Sequence, residues 1–396
     1  MKHVLIIGGW TENYEAALRL GYRVTGFAAI NQRTLLSNDV LAQCEFWDVD
    51  ASDVPQALLC AMQLNRAAPI SGVFSFTEKG LETAAVIASV LGVPGNELDG
   101  NVRTRNKQLT RTAMAGTALD NVAWRVAYGE SDVVAFFESH GPLVIKPMNG
   151  VGSEGVNVIR DAQALRTDLG KRAFPVLVEA YIEGSEYSVE TISLAGEHSV
   201  LAVTQKTLTD NLVEMQHLMP APIGSDEQLA LEQAVVLLLS TMGIRNSVAH
   251  SEFRLNRDEA GRLHVYLIET QLRTGGGRIW KLLELCRGID VFSVLIGGVV
   301  DSAHDLPTLT APRPCLAYFP RFGQGIVHHI EGLADVAAAP GVEFVDLEIS
   351  EGKPTNAYVS SATRNGSIIV SASNHTELLT RRDEALAMLR VTVDPA

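Results

Sequence analysis

Over the first hundred residues, short unbroken apolar runs alternate with stretches whose apolar positions recur every three or four residues. "HVLIIGG", "RVTGFAA" and "ISGVFSF" read as buried strands. "ENYEAALRLG" and "LETAAVIASVLGVPG" read as helices, closed by Gly21 and by Gly92, with Pro94 beyond the second. Strands alternating with helices predict a parallel sheet covered on its faces. Gly8 and Gly9 follow the first strand, but the dinucleotide glycine pattern is incomplete there. This sheet is therefore expected to pack on another domain.

The pattern changes after residue 100. "NKQLTRTAMAG" predicts a helix, and "GPLVIKP", "GVNVIRD" and "FPVLVEAYI" predict strands. Residues 226–243, "DEQLALEQAVVLLLSTMG", predict one long amphipathic helix closed by Gly243. A β-hairpin follows: "VAHSEFRL", the polar turn "NRDEAGR", then "LHVYLIET". From about residue 311 a proline-bearing junction, "TAPRPCLAYFP", opens a strand-rich tail that ends in the helix "TELLTRRDEALAMLR".

Composition narrows the function. A chain of 396 residues exceeds one ordinary core and allows two to four compact units. A net charge of -14 argues against a nucleic-acid partner, because phosphate backbones are held by excess Lys and Arg. A single nucleotide is not excluded, since a divalent cation and a few local lysines can hold one. Cys44, Cys60, Cys286 and Cys315 are scattered without metal-ligand spacing and read as free thiols of a reducing compartment. The apolar runs fall far short of the roughly 20 residues of a membrane span. The N-terminus reads as neither secretion signal nor anchor, so a cytoplasmic protein is expected.

Within "VIKPMNGVGSEGVNVI", Gly150, Gly152 and Gly155 match the G-x-G-x-x-G spacing by letter. A dinucleotide loop runs from strand to helix, yet here the β-branched "GVNVIR" follows, so the loop joins two strands. A kinase glycine loop also joins strands, but its lysine lies on the strand after the loop, whereas Lys146 lies before it. No H-R-D or D-F-G follows downstream. What remains is a hairpin entered by a lysine, its small residues letting backbone N–H groups approach phosphate oxygens.

A second constellation is "AHSEFRLNRDEAGRLHVYLIETQLRTGGGR". Strand side chains alternate, so Glu269, Gln271 and Arg273 project together. Glu252 joins them if the hairpin register sets an even position against an odd one. Two carboxylates converging on one face repel unless a cation lies between them, which points to Mg²⁺ or Mn²⁺. Arg273 supplies a fixed cation able to steady oxyanion charge. Gly275, Gly276 and Gly277 offer free N–H groups beside it, and Arg278 either assists or is solvated.

The lysine-entered hairpin, followed about thirty residues on by "LVEAYIEGSEYSVE", resembles the ATP-grasp superfamily, and the resemblance covers most of the chain. It implies a mixed α/β and α+β fold in four parts: an N-terminal Rossmann-like parallel-sheet domain over 1–100, a small subdomain with the glycine-rich hairpin over 101–200, a large subdomain with the metal carboxylates over 201–310, and a C-terminal extension over 311–396. It implies that Lys107 and Lys146 contact the nucleotide, and that Gly150, Gly152, Ser153 and Gly155 cover its phosphates. Glu179, Ala180 and Ile182 would face adenine, and Glu186 would take the ribose. Glu252, Glu269 and Gln271 would hold the metal, with Gln271 where the family usually has Asn.

"TQKTLTDNLVEMQHLMPAPI" and the tail after "FPRFGQGIVHHIEG" are similar to the L-amino acid ligase branch. This likeness implies an ADP-forming ligase acting on small-molecule carboxylates and amines. Glu214 would pair with an α-ammonium, and His217 would sit near the acyl phosphate. It also implies a homodimer through the N-terminal domain. Two other readings stay open: a superfamily member that activates bicarbonate or formate, and an ATP-binding scaffold without turnover.

Overall fold

The computed structural model describes residues 1–148, 155–210, 212–302 and 305–395. His3–Ile7 is buried at all five positions, as a strand covered on both faces must be. It sits inside a four-stranded parallel sheet in the order Glu45–Trp47, Arg23–Phe27, His3–Ile7, Gly72–Phe74. One face carries the helices Val54–Ala67 and Glu78–Leu91, the latter ended by Gly92 at φ 65°. On the other face Val4, Ile6 and Tyr14 enter one core with Phe292, Leu295 and Val299 of the helix Val291–Val300. The sheet does pack on another domain.

The small subdomain is a four-stranded sheet in the order Trp124–Ala127, Val176–Ala180, Leu143–Pro147, Asn157–Ile159. Leu143 pairs with Ile159 and Ile145 with Asn157 in antiparallel register, so the lysine-bearing strand and the strand after the loop form the expected hairpin. Gly150, Gly152 and Ser153 lie outside the described residues.

An eight-stranded antiparallel sheet forms the body of the chain, with Leu263–Gln271, Ser247–Arg257, Ser185–Leu194, Glu197–Leu208 and Glu214–Met219 in that order. Cys315–Tyr318, Gly366–Ser371 and Val342–Leu347 continue it. The sheet thus runs across residues 200 and 310 without a break. On Ser225–Thr241 the buried residues Leu231, Ala234, Val235, Leu238 and Leu239 follow helical spacing and pack on Val189, Val203 and Ala249. Neighbouring strand positions of the other parity, Ile192, Leu194 and Val248, pack on Leu282 and Phe292 from the helices Ile279–Arg287 and Val291–Val300. Among the described residues no helix is long and apolar enough to cross a membrane. The four cysteines are free, and Cys286 and Cys315 are buried.

Candidate active site

The register of the large sheet brings charged side chains together. Arg254, Glu186, Lys206 and His217 are successive cross-strand partners on four adjacent strands, so they stand in one row on one face. Two residues along, Glu252 is the partner of Ser188 and of Glu269. Beyond it His250 is the partner of Glu190 and of Gln271. The register shifts between Glu252 and Phe253: Glu252 opposes Glu269, while Phe253 opposes Leu267. Ile268 is the extra residue of this bulge. Without it Glu252 would oppose Ile268, and Glu269 and Gln271 would turn to the other face.

A pocket between the small and large sheets is walled by Lys107, Lys146, Glu179, Glu186, Glu252 and Glu269, with Ala180 and Ile182 at its edge. At the small-sheet end Glu179 is 4% exposed and holds two cations. Arg111 Nε donates to its Oε1 at 2.5 Å, and Lys146 Nζ to its Oε2 at 2.5 Å. Burial alone would raise the Glu179 pKa, but Lys146 and Arg111 outweigh it and hold the carboxyl at about 2. Because this value lies below the ordinary 4.5, the stabilisation is complete above pH 5 and is lost as pH falls toward 2. The linkage amounts to roughly 3 kcal/mol. Thermal melts should therefore weaken steeply between pH 5 and 2, and Glu179→Gln should give a shallower slope; an unchanged slope would contradict this account.

Next along the pocket, Arg254 grips Glu186 Oε2 from Nε at 3.2 Å and Nη2 at 3.1 Å, and donates from Nη1 to the Ile182 carbonyl at 2.5 Å. Ala180 N–H is bonded to the Ala123 carbonyl at 2.9 Å, so two backbone groups of the hinge are already taken. The Glu186 pKa is raised, first by burial and then by the Glu252 charge, against the pull of Lys206 and Arg254.

At the large-sheet end Glu252 accepts from Lys206 Nζ and lies 3.2 Å from His250 Nε2. Burial works against its charge, yet Lys206 and His250 hold its pKa well below the ordinary value. Lys206 is itself buried, which disfavours its charge, but Glu252, Glu214 and Glu186 keep it protonated. Glu269 accepts from Gln271 Nε2 and lies 3.6 Å from Lys107 Nζ. Gln271 Oε1 is buried without a hydrogen-bond partner. A buried oxygen lacking a donor, beside two carboxylates, fits a hard divalent cation. Among the described residues no three His, Cys, Asp or Glu side chains are grouped to hold a metal alone. The remaining ligands of such an ion would be substrate oxygens and water.

Past Lys206 the face continues to a second cavity of about 310 Å³, bordered by Trp10, Gly275, Gly276, Gly277, Arg278 and Arg364. Glu214 lines the first pocket, and His217 packs behind Gly277 and Phe319 of the second cavity. Ser361 Oγ donates to Glu214 Oε2 at 2.6 Å, and Lys206 lies 3.7 Å from its Oε1. Burial would raise the Glu214 pKa, but Lys206 leads the charges that hold it at about 2. His217 is 2% exposed, edge-on to Phe319 at 5.1 Å, and neither ring nitrogen has a partner. Burial first, and Lys206 second, push its pKa far below 6.5, so the ring is neutral at pH 7.

Gly277 sits at φ 62°, and a Cβ there would come within 2.6 Å of Phe319 Cζ and 2.8 Å of His217 Cε1. Gly277→Ala should destabilise the fold by about 1–3 kcal/mol, read by denaturant unfolding, through overpacking and a strained φ. Wild-type stability would show that this wall yields.

An ATP-grasp domain profile matches residues 139–280, the segment that carries Lys146, Glu179, Glu252 and Glu269. Residues 139–280 thus carry an ATP-grasp domain. An L-amino acid ligase C-terminal domain 2 profile matches residues 318–394. Over 358 residues this ATP-grasp protein is 25% identical to an uncharacterized protein of Sinorhizobium fredii, covering 88% of this chain and 73% of that one. It is 24% identical over 256 residues to an alanine–anticapsin ligase of Bacillus subtilis, covering 57% and 53%. With the dapdiamide A synthase of Enterobacter agglomerans it shares 27% over 229 residues, covering 53% and 52%. The match thus spans about half the length of both named enzymes. In fold it superposes on an L-amino acid ligase from Bacillus licheniformis with a TM-score of 0.84, at 24% identity and over 100% and 99% of the two chains. A phosphoribosylglycinamide synthetase from Anaerococcus prevotii gives 0.75 at 16% identity, over 99% and 100%.

The ATP-grasp frame gathers most of the residues singled out by the sequence, but not all. Arg273 is off the pocket wall: its Nη2 donates to Glu78 Oε2 at 2.6 Å, at the start of an N-terminal helix. Arg278 is only partly exposed and is held by neighbours. It pairs with Asp346 at 2.5 Å, and its guanidinium lies over Phe344 at 4.1 Å. Sequence reading passed over Arg111, Lys206, His250, Arg254 and Arg364. Arg254 carried a legible signal, since it alternates with Glu252 on one strand face.

Proposed function

We propose that this ATP-grasp protein is an ADP-forming carboxylate–amine ligase acting on amino acids or amino-acid-like carboxylates. The observation that carries the reading is the bulged pairing of Glu252 with Glu269 on the wall of the first pocket, beside the unpartnered Gln271 oxygen. In this reading ATP lies in the first pocket, with adenine by Glu179, Ala180 and Ile182 and ribose on Glu186. Lys107 and Lys146 face its phosphates. Mg²⁺ or Mn²⁺ held by Glu252, Glu269 and Gln271 would supply charge neutralisation at the phosphates.

A substrate carboxylate oxygen attacks the γ-phosphorus in line, and the bond to the ADP oxygen breaks. The amine then attacks the acyl carbon, phosphate leaves, and the amine proton passes to solvent or a base. Glu214 orients an ammonium group, and neutral His217 lies behind Phe319 and Gly277. Gly275, Gly276 and Arg278 shape the far side. Arg273, anchored by Glu78, adds a fixed positive charge at the end of the carboxylate strand. Enclosure of the acyl phosphate matters, because water would otherwise consume it.

The test is ADP release with Mg-ATP across pairs of L-amino acids, with product masses and Glu269→Ala as the blank. ADP with a new amide mass supports the ligase. ADP with bicarbonate and no amino acid would favour a carboxylase-type member, and ATP binding without turnover would favour a scaffold.

A further inference from the structure

Arg254 grips Glu186 through one oxygen only. Its Nε and Nη2 both donate to Oε2, at 3.2 and 3.1 Å, and among the described residues no hydrogen bond falls on Oε1. Oε1 is therefore the oxygen left for a ligand, and its direction follows from where the Arg254 guanidinium stands. Arg254 is buried, and its Nη1 donates to the Ile182 carbonyl at 2.5 Å. That bond ties the strand Ser247–Arg257 of the large sheet to the hinge that follows Val176–Ala180 of the small sheet.

Tyr181, one residue earlier in the hinge, carries a second link. Its N–H is bonded to the Pro142 carbonyl at 2.9 Å, so its backbone belongs to the small subdomain. The guanidinium carbon of Arg254 lies 5.2 Å from the centre of the Tyr181 ring, and that of Arg160 lies 4.5 Å from the same centre. Arg160 directly follows the strand Asn157–Ile159, and its Nη2 donates to the Tyr181 hydroxyl oxygen at 3.1 Å. Two cations drawn to one ring repel each other unless each is compensated. Glu186 compensates Arg254. Among the described residues Arg160 has no carboxylate partner, so the ring face and the phenolic oxygen hold it. Burial would raise the Tyr181 pKa, but Arg254 and Arg160 outweigh it and lower it. Tyr181, Ile182, Glu186 and Arg254 all border the nucleotide pocket, whereas Arg160 is exposed and stands outside its wall.

We propose that Tyr181, braced from outside by Arg160, is a positioning residue that fixes the Arg254 guanidinium and, through it, the ligand-facing oxygen of Glu186. Recognition of the ribose hydroxyls then depends on an arginine that does not touch the nucleotide. The inference rests on the nucleotide part of the reading above and goes beyond it by assigning the residues that orient the ribose carboxylate.

The experiment compares Kd values, by calorimetry, for Mg-ATP and its 2′,3′-dideoxy analogue, since only the first presents hydroxyls to Glu186. Wild type should favour ATP by about 10- to 100-fold, the range for hydrogen bonds to a charged group. Tyr181→Leu should bring the two within about threefold of each other while the dideoxy analogue binds nearly as in wild type. Arg160→Met should narrow the ratio by about three- to fivefold, as loss of an exposed cation–π contact does, and Arg160→Lys should recover part of it. In a Glu186→Gln background Arg160→Met should change the ratio no further, because the charge that Arg254 orients is already gone. A ratio unchanged by Tyr181→Leu or by Arg160→Met overturns the proposal. So does equal weakening of both nucleotides, which is what a merely structural stack would give. A wild type that binds ATP and the dideoxy analogue equally well overturns it too, with the nucleotide pocket intact. A wild type that binds neither would instead remove the nucleotide reading, and this inference with it.

Discussion

Glu269→Ala is expected to lower ADP formation by about 10³-fold or more while ATP analogues still bind. Loss of one of two facing carboxylates leaves Glu252 alone, and Glu252 is already drawn toward Lys206 and His250. The alanine also strips Gln271 Nε2 of its acceptor and removes an ion pair made by Lys107. Neutralising charge at transferring phosphates supplies several kcal/mol of transition-state stabilisation, and each 1.4 kcal/mol is a factor of ten. Glu269→Gln keeps the volume and still loses the charge, so it should fall nearly as far. Single-turnover ADP formation measures both, and full activity in either variant would remove Glu269 from the site.

Lys146→Ala should also stop turnover, by roughly 10²–10³-fold, the cost of losing one positioned donor at developing phosphate charge. The fold should survive it. Breaking a buried ion pair is costly when a charge is left alone, but Glu179 keeps Arg111 at 2.5 Å. A stability loss of about 1–3 kcal/mol is therefore expected, together with a raised KM for ATP and a lowered kcat. Steady-state kinetics at saturating ATP distinguishes this from simple weakening of binding. An unchanged kcat would place Lys146 among the structural residues that hold Glu179, with no part in the reaction.

Local pattern carried the reading as far as the elements and the motifs on them. The β-branched run after Gly155 set the hairpin, and helical spacing from Leu231 to Leu239 set the long helix. Pairing between distant strands was beyond that pattern. Ser185–Leu194 lies between Ser247–Arg257 and Glu197–Leu208, and that order is decided by long-range packing. The bulge at Ile268 carries no glycine or proline to announce it, yet it decides whether Glu252 and Glu269 share a face. Buried cations were hidden for a related reason. Lys206 and Arg111 resemble solvated side chains by sequence, and only the carboxylates brought to them from other segments account for their burial. Arg273 shows the converse: its position on the strand was legible, but its partner Glu78 comes from 195 residues away.

The central claim is that ATP phosphorylates a carboxylate in the chamber between Glu252, Glu269 and the second cavity. The most direct measurement uses an ¹⁸O-labelled carboxylate substrate, the amine partner and Mg-ATP, with mass analysis of the phosphate released. The account predicts one ¹⁸O atom in each phosphate, carried there through the bridging oxygen of an acyl phosphate. Unlabelled phosphate, formed while the amide appears, would contradict it.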